Sequence, residues 1–463
     1  MAAVVSSSSA AQKSSWFSGL PPSYSYFCHH TSYTACTWKS CFFPHNLGSK
    51  NSLRRLLTIH PISSHGVVPS TCKSLVLQRR LSVFARSAIN SQVADGPKVQ
   101  EVQVTISGHP YPIYIGHGIL SEIEILKRHI KGKSVLLITN SKVSSLYMDQ
   151  IAASLDRIVD AINLEVIILP EVERSKWKEN VFKVVDKAAE AKMDRTTTFI
   201  GLGGGVINDI CGFSAAVYEG GVNFIQIPTT LTAQVDVAVA DETGIYHLLD
   251  KQTICSYYEP ECVIVDTNTL KTLPDKQLIS GIAEIIKFSL VRDGIFLRWL
   301  KDNMETLLAR GPNIMTYAIR RSCEIKADIL SVDSQRGQIR DVLSLGRTFG
   351  HAIEITMEPR EWLHGEALAV GIVMALDLAH RLDWIDDTVL IDAIVAMERA
   401  HLPTALPAYI SKEILLQNLS LSNGGHPSLA LPKGPAGNCV FTSSYDKEHF
   451  DAMLDFFCLG RRE

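Results

Sequence analysis

From about residue 98 onward, short apolar runs of β type alternate with longer stretches that have helical spacing. The apolar runs predict strands at 101–106, 134–139, 164–169, 196–201, 223–227 and 262–266. Strands that alternate with helices usually form parallel sheets with crossover connections, so this part of the chain predicts an α/β layer.

After Pro274 the pattern becomes almost entirely helical. Its periodicity predicts helices at 275–295, 312–332, 341–357, 364–382, 386–401 and 446–459, and a Gly- and Pro-rich segment at 423–442 predicts a small hairpin. We therefore expect an α/β domain over 98–274, followed by an all-α domain over 275–463. The cleft between two such domains is the expected place for a ligand.

Composition narrows the classes of protein to consider. The 463 residues are 46% apolar and 20% charged, which excludes a disordered or collagenous chain. No apolar run reaches the length of about 18 residues that predicts a membrane span. The net charge of −3 is uneven, because residues 1–94 contain nine Lys and Arg, twenty Ser and no acid. The acidic remainder argues against a nucleic-acid partner.

The leader has the composition of an organellar transit peptide, which is Ser-rich, dotted with Arg and poor in acids. Residues 1–87 are predicted to be this peptide, with a processing zone at 79–88. The abundance of Ser favours a chloroplast stroma over a mitochondrion, and a disordered basic tail is the alternative. The six Cys beyond the leader form no CxxC pair, so neither a disulfide framework nor a thiolate zinc site is indicated.

A glycine-rich segment, 201–209, follows a predicted strand. Glycines at a strand-to-helix turn let backbone N–H groups approach a phosphate. The usual dinucleotide fingerprint is incomplete, because Val206 stands where its third glycine would be. A tight packing turn therefore stays an alternative. Thr229 and Thr230 follow the next strand and either bind a ribose or phosphate or cap a helix.

Charged side chains on the predicted helices form a second candidate site. Glu284 and Lys287 lie three residues apart among apolar neighbours, which indicates partial burial of a charged pair. Arg347 and His351 lie four residues apart, and His364 precedes a predicted helix start. These residues predict a carboxylate and histidine cluster, against the alternative of structural histidines and a surface ion pair.

Residues 98–463 resemble the plastid 3-dehydroquinate synthases of plants, within the sugar-phosphate cyclase family. The resemblance rests on motifs at 203–207, 228–230, 234–236, 272–274, 280–287, 349–351, 362–366 and 433–441. It implies a Rossmann-like NAD domain, an α-helical metal domain and, in most members, a homodimer. Members convert 3-deoxy-D-arabino-heptulosonate 7-phosphate to 3-dehydroquinate and phosphate. Bound NAD oxidises a hydroxyl transiently, and a divalent metal, commonly zinc, acts as Lewis acid.

The resemblance also implies roles for individual residues. The positions that match NAD-binding residues are Glu173, Lys176, Gly204, Gly205, Asp209, Thr229, Thr230, Lys251 and Thr272. The positions that match catalytic or substrate-contacting residues are Asp236, Lys287, Lys326, Arg340 and His351. Glu284 and His364 match two of the family's three metal ligands.

This chain departs from the family at several site positions. The third metal ligand, a histidine in the family, is Arg347, and arginine is always protonated and offers no lone pair. Catalytic zinc normally has three protein ligands. An expected substrate lysine is Glu242, next to Asp241, and an expected arginine is Gly220. We therefore expect that NAD binding is kept and that synthase activity is impaired or replaced.

Other interpretations remain open. The chain is an active synthase if the substitutions compensate for one another, or a non-catalytic subunit that pairs with an authentic synthase as a heterodimer. Metal-dependent polyol dehydrogenases of related architecture are a more distant alternative. All but the purely structural interpretation require a small-molecule ligand. A further hypothesis is that Arg347 replaces the metal and pairs with Glu284.

Overall fold

A computed structural model describes residues 98–106, 109–157, 162–170, 177–240, 242–245, 254–333, 339–357, 361–419 and 427–458. The predicted transit peptide and its processing zone lie outside these ranges. Among the described helices, none combines the length and the apolar character that a bilayer crossing requires.

The first half of the described chain is built around a mostly parallel sheet. Its strands and helices are β1 (Val99–Val104), β2 (Tyr111–Gly116), α1 (Ile123–His129), β3 (Ser134–Asn140), α2 (Ser141–Leu155), β4 (Asn163–Leu169), α3 (Trp177–Glu190), β5 (Thr198–Gly203), α4 (Gly205–Val217), β6 (Asn223–Pro228), β7 (Thr243–Ile245), β8 (Ile254–Ser256) and β9 (Cys262–Asp266). Within the described ranges the sheet order is β1-β2-β9-β6-β5-β3-β4, and β7 and β8 form a separate hairpin.

The predicted α/β layer is confirmed, and its central parallel strands are buried on both faces. Every residue of β5 and β9 is buried, as expected for strands covered by helices on either side. The sequence prediction missed β2, whose Tyr111, Ile113 and Ile115 are fully buried. Pro110 and Pro112 interrupt the apolar run there, although β2 pairs with both β1 and β9.

The second half is helical, as predicted. Its helices are α5 (Asp275–Arg292), α6 (Gly294–Leu308), α7 (Pro312–Val332), α8 (Arg347–Thr356), α9 (His364–Arg381), α10 (Asp387–Arg399), α11 (Lys412–Asn418) and α12 (Lys447–Cys458). The predicted hairpin is confirmed as β10 (Leu429–Pro432) and β11 (Cys439–Thr442). The sequence prediction missed α6 and α11.

Two helix boundaries differ from the prediction for clear local reasons. The predicted helix 275–295 ends early because the Asp293 carboxylate accepts bonds from the N–H groups of Ile295 and Phe296 and so caps α6. The predicted helix 341–357 starts late. Residues Arg340–Ser344 form a 3-10 turn, and Gly346 has φ +74°, which ends that turn before α8 begins.

Both halves contribute to one apolar core. The largest buried cluster contains residues of β1 and β2 together with those of α5 to α10. The helices pack closely in this core. A Cβ at Gly371 of α9, for example, would lie 2.1 Å from the Gly346 carbonyl oxygen. The helices that carry the candidate charged residues are therefore held rigidly against each other.

Candidate active site

The glycine turn lies at the carboxyl edge of the sheet. Strands β5 and β6 end side by side, with Gly203 opposite Pro228, so Gly204 and Gly205 lie next to Thr229 and Thr230. The N–H of Thr229 donates to the Gly203 carbonyl at 2.8 Å. The edge where parallel strands end is where open α/β sheets bind ligands.

Asn208 shapes the turn from inside α4. Its side-chain amide donates to the carbonyl oxygens of Gly203 and Gly204 at 2.9 and 3.0 Å. Gly204 precedes α4 and provides no side-chain cap, so the first N–H groups of the helix stay open to a ligand. A Cβ at Gly204 would lie 3.2 Å from the Thr230 methyl group, so the turn has little room for a side chain.

A cavity of about 530 Å³ opens from this turn. Its lining includes Asn140, Lys142, Tyr147, Gly204, Gly205, Thr229, Thr230, Thr269, Thr272, Gln277, Ser280 and His364. The hydroxyl groups of Thr272 and Tyr147 are 2.5 Å apart, and the Thr272 hydroxyl also donates to the Thr269 carbonyl. Backbone donors at a helix start, several hydroxyl groups and this volume fit the phosphates and riboses of a dinucleotide.

A second cavity, of about 500 Å³, collects most of the remaining candidates. Its lining includes Asp209, Asp236, Glu242, Cys255, Glu284, Lys287, Lys326, Arg340, Asp341, Ser344, Arg347 and His364. His364 lines both cavities, so the dinucleotide-sized space and the charged space share a wall.

Close contact between α5 and α9 brings Glu284 and His364 together. A Cβ at Gly365 would lie 2.0 Å from the Ser280 carbonyl oxygen, so only glycine permits this approach. The Gly365 N–H donates to the Ser280 hydroxyl at 2.9 Å. As a result, His364 Nε2 lies 3.2 Å from Glu284 Oε1, although the two residues are 80 positions apart.

Glu284 and His364 belong to a network of charged side chains that also includes Lys287 and Glu354. The Glu284 carboxylate pairs with the Lys287 ammonium, and His364 Nδ1 lies 2.5 Å from Glu354 Oε1. Burial opposes a charge on Glu284, but Lys287 and His364 hold the pKa of its carboxyl well below its ordinary value. Burial also opposes a charge on His364, but the carboxylates of Glu284 and Glu354 raise its pKa to about 9.

The second ion pair joins the two halves of the chain. Lys326 of α7 donates to Asp236 at both the side-chain Oδ1, 2.6 Å away, and the backbone carbonyl, 2.8 Å away. Asp236 lies in a short π-helical turn, Ala233–Val237. Burial alone would raise the pKa of Asp236, but the ammonium groups of Lys326 and Lys287 lower it. Arg340 also lines this cavity, and its Nε lies 3.7 Å from Oδ2 of the Asp333 carboxylate.

The pKa of Asp209 is shifted in the opposite direction, upward. Burial, together with the negative charges of Asp236 and Glu242, raises the pKa of the Asp209 carboxyl to about 8, with Lys326 only partly offsetting them. At neutral pH this carboxyl therefore keeps its proton and is a hydrogen-bond donor in the cavity.

This pKa predicts a pH-dependent effect of the Asp209→Asn substitution on stability. An acid whose pKa is raised in the folded state destabilises that state as pH rises from about 4 to about 8. We expect the variant to match the parent chain near pH 4 and to be more stable at pH 8 by about 5 kcal/mol. Urea unfolding at both pH values measures the difference. Equal stabilities at pH 8 would contradict a protonated Asp209.

The residues do not fit a catalytic metal centre. Within the described ranges no group of three His, Cys, Asp or Glu side chains could hold a metal ion. Arg347 is exposed at the start of α8 and lines the second cavity, where it provides a fixed positive charge and no lone pair. The hypothesis that Arg347 pairs with Glu284 is wrong, because Glu284 pairs with Lys287 and His364 instead.

The other predicted site residues separate into two groups. Gly204, Gly205, Thr229, Thr230 and Thr272 line the first cavity, and Asp209, Asp236, Lys287, Lys326 and Arg340 line the second. His351 lies one turn beyond Arg347 on α8, outside the linings of both cavities. Glu173, Lys176 and Lys251 lie outside the described residues. The roles implied for all of these residues stay predictions.

Sequence reasoning missed two features of the site. Glu354, the partner of His364, lies three residues after His351 on one helix face, and that spacing could have indicated it. Lys142 and Tyr147 of α2 line the first cavity, but no local motif marks them.

Comparisons with known proteins agree with this geometry. A family model described as 3-dehydroquinate synthase N-terminal matches residues 166–280, and one described as 3-dehydroquinate synthase C-terminal matches residues 281–421. The chain is 45% identical over 407 residues to the chloroplastic 3-dehydroquinate synthase of Arabidopsis thaliana, covering 86% of this chain and 92% of that one. It is 46% identical over 386 residues to the chloroplastic enzyme of Solanum lycopersicum, covering 82% and 87%.

A solved structure also resembles this chain. It is 2-epi-5-epi-valiolone synthase from Streptomyces hygroscopicus with NAD⁺ and Zn²⁺ bound, at 26% identity and a TM-score of 0.67. The match covers 74% of this chain and 95% of that one.

Proposed function

Because this chain belongs to the 3-dehydroquinate synthase family, we propose that it binds NAD in a plastid but has lost metal-assisted synthase activity. The observation that carries this proposal is Arg347. It stands where the resemblance implies the third metal ligand, and the two remaining ligand positions, Glu284 and His364, are bonded to each other and to further charged side chains. The chloroplastic relatives and the Ser-rich, acid-free leader support the plastid location.

The first cavity supports NAD binding. The Gly204–Gly205 turn would hold the pyrophosphate with the open N–H groups of α4, and Thr229, Thr230 and Thr272 would provide hydroxyl groups. When bound, NAD supplies an acceptor and donor of hydride for a ligand hydroxyl. The bound NAD⁺ and Zn²⁺ belong to the Streptomyces relative; the NAD half of that pair fits the residues of this chain and the metal half does not.

The second cavity retains groups that can orient a ligand without a metal. The Lys326 ammonium is fixed by two bonds to Asp236, so its position does not depend on a ligand. Lys287 is fixed by Glu284, and the protonated Asp209 carboxyl can donate to a ligand oxygen. These groups bind and orient, but a metal that polarises the reacting oxygen contributes several kcal/mol of transition-state stabilisation.

The test measures NAD binding and phosphate release separately. We expect titration calorimetry to show one NAD bound per chain. We expect phosphate release from 3-deoxy-D-arabino-heptulosonate 7-phosphate, with NAD and zinc present, to be at most about one-thousandth of the rate of the Arabidopsis relative. The Gly204→Val variant is the matched control. Gly204 has an ordinary backbone conformation, so this variant should fold and lose NAD binding because a side chain fills the turn.

Each alternative predicts a different result. Turnover near the rate of the relative identifies an active synthase and contradicts the proposal. Loss of both NAD binding and turnover favours a non-catalytic subunit, and mixing with the authentic relative followed by sedimentation then tests for a heterodimer. Sedimentation of the chain alone tests the homodimer that the family resemblance supports.

A further inference from the structure

The charged residues that line the second cavity differ between the α/β half and the helical half of the chain. The acids Asp209, Asp236 and Glu242 come from the α/β half of the chain. The helical half contributes the cations Lys287, Lys326, Arg340 and Arg347, together with two acids, Glu284 and Asp341. Among the charged lining residues, the α/β side of the cavity is therefore purely acidic, whereas the helical side carries a net positive charge.

Most of these charges already have a partner within the protein. Glu284 pairs with Lys287, Asp236 with Lys326, and Asp333 with Arg340. Within the part of the chain that the structure describes, Glu242 and Arg347 take part in no ion pair. The lining acids Asp209 and Asp341 have no ion pair there either, but Asp209 keeps its proton at neutral pH and Asp341 lies on the helical side. Glu242 is thus the unpaired carboxylate that the α/β side offers to a ligand, and Arg347 is the unpaired cation of the helical side.

The backbone on either side of Glu242 is fixed. The buried Tyr111 hydroxyl accepts a bond from the Ala240 N–H at 3.2 Å. On the other side, buried Thr243 begins β7 and packs against Gly212 of α4, where a Cβ would lie 2.4 Å from its methyl group. Glu242 is consequently held at the cavity wall rather than carried on a free loop.

The neighbouring acid shows what Glu242 does to this wall. Burial and the negative charge of Asp236 are the larger causes that raise the pKa of the Asp209 carboxyl, and the negative charge of Glu242 adds to them. A second anion near Glu242 would meet the same repulsion, whereas a cation would be attracted. A ligand that carries negative charge at both ends is therefore disfavoured on the acidic side.

We propose that this cavity binds a phosphorylated amino sugar or amino polyol, with its phosphate toward Arg347 and its ammonium group toward Glu242. The guanidinium of Arg347 matches the geometry of a phosphate, and its exposure leaves both of its terminal nitrogens available. A volume of about 500 Å³ lies in the range of small-molecule sites. This inference rests on the proposed function, since it names the ligand class of the same site.

The test compares two ligands that differ in one charge. The dissociation constants of D-glucosamine 6-phosphate and D-glucose 6-phosphate are measured by titration calorimetry on the NAD-saturated protein. We expect glucosamine 6-phosphate to bind about tenfold more tightly, the size of a moderately exposed charge contact. In Glu242→Gln this ratio should fall to about one, and in Glu242→Lys it should reverse.

The control is Glu398→Gln, which removes one negative charge on the exposed face of α10, away from the cavity. It should leave the ratio unchanged. The proposal is overturned if the two ligands bind equally in the parent chain, if Glu242→Gln keeps the ratio, or if neither ligand binds up to about 10 mM. Phosphate release from the heptulosonate phosphate, measured in parallel, overturns the proposed function instead, so the two failures are distinguishable.

Discussion

Replacing Arg347 with His should let the protein bind about one zinc ion at the candidate site. Glu284 and His364 are already within 3.2 Å of each other, and the resemblance implies that a histidine at 347 completes the ligand set. Histidine offers the lone pair that arginine lacks, and removing the guanidinium removes a positive charge from the cavity. Since even second-shell changes alter metal affinity by 10–100-fold, we expect a gain of at least about 100-fold.

Zinc affinity is measured by competition with a chelating indicator, and zinc content by elemental analysis after dialysis. Arg347→Gln is the matched control, because it removes the same charge without adding a metal ligand. We expect it to behave like the parent chain. Tight, stoichiometric zinc in the parent chain that is lost in Glu284→Gln would contradict our account of this site and of the proposed function.

Replacing Lys287 with Met should destabilise the protein by about 3–5 kcal/mol. The Lys287 and Glu284 side chains are only 7% and 4% exposed, so the pair is shielded from water. Removing the ammonium leaves the Glu284 carboxylate buried with His364 as its remaining partner. Removing one partner of a buried ion pair costs much more than the pair contributes relative to apolar residues, because the remaining charge stays buried with less compensation.

Urea unfolding of the parent chain and the variant measures this loss. The control is the double variant Glu284→Gln and Lys287→Met, in which no buried charge is left without its partner. It should recover most of the lost stability, because a buried ion pair and an uncharged replacement of similar volume differ little. If the double variant is as unstable as Lys287→Met alone, the loss comes from packing and our electrostatic explanation is wrong.

Local patterns in the sequence determined the fold class and most of its elements. Alternating apolar runs and helical periodicity are consequences of side-chain burial on strands and helices, so they predict these elements from the sequence alone. The exceptions arose where a local signal was ambiguous. Pro110 and Pro112 interrupt the apolar pattern of β2, and the cap at Asp293 ends the predicted helix 275–295 early and starts α6, which the prediction missed.

The sequence alone also determined that the family's third metal ligand is absent, because the identity of Arg347 does not depend on the fold. What only the tertiary structure decided is which charges meet. Lys326 reaches Asp236 across 90 positions. Glu284 reaches His364 across 80 positions because close packing at Gly365 brings α5 and α9 together. The Glu284–Lys287 pair is different, because its partners are three residues apart on one helix and the sequence already indicated it. Electrostatic pairing depends on distances of a few ångströms between remote segments, and no local pattern carries that information.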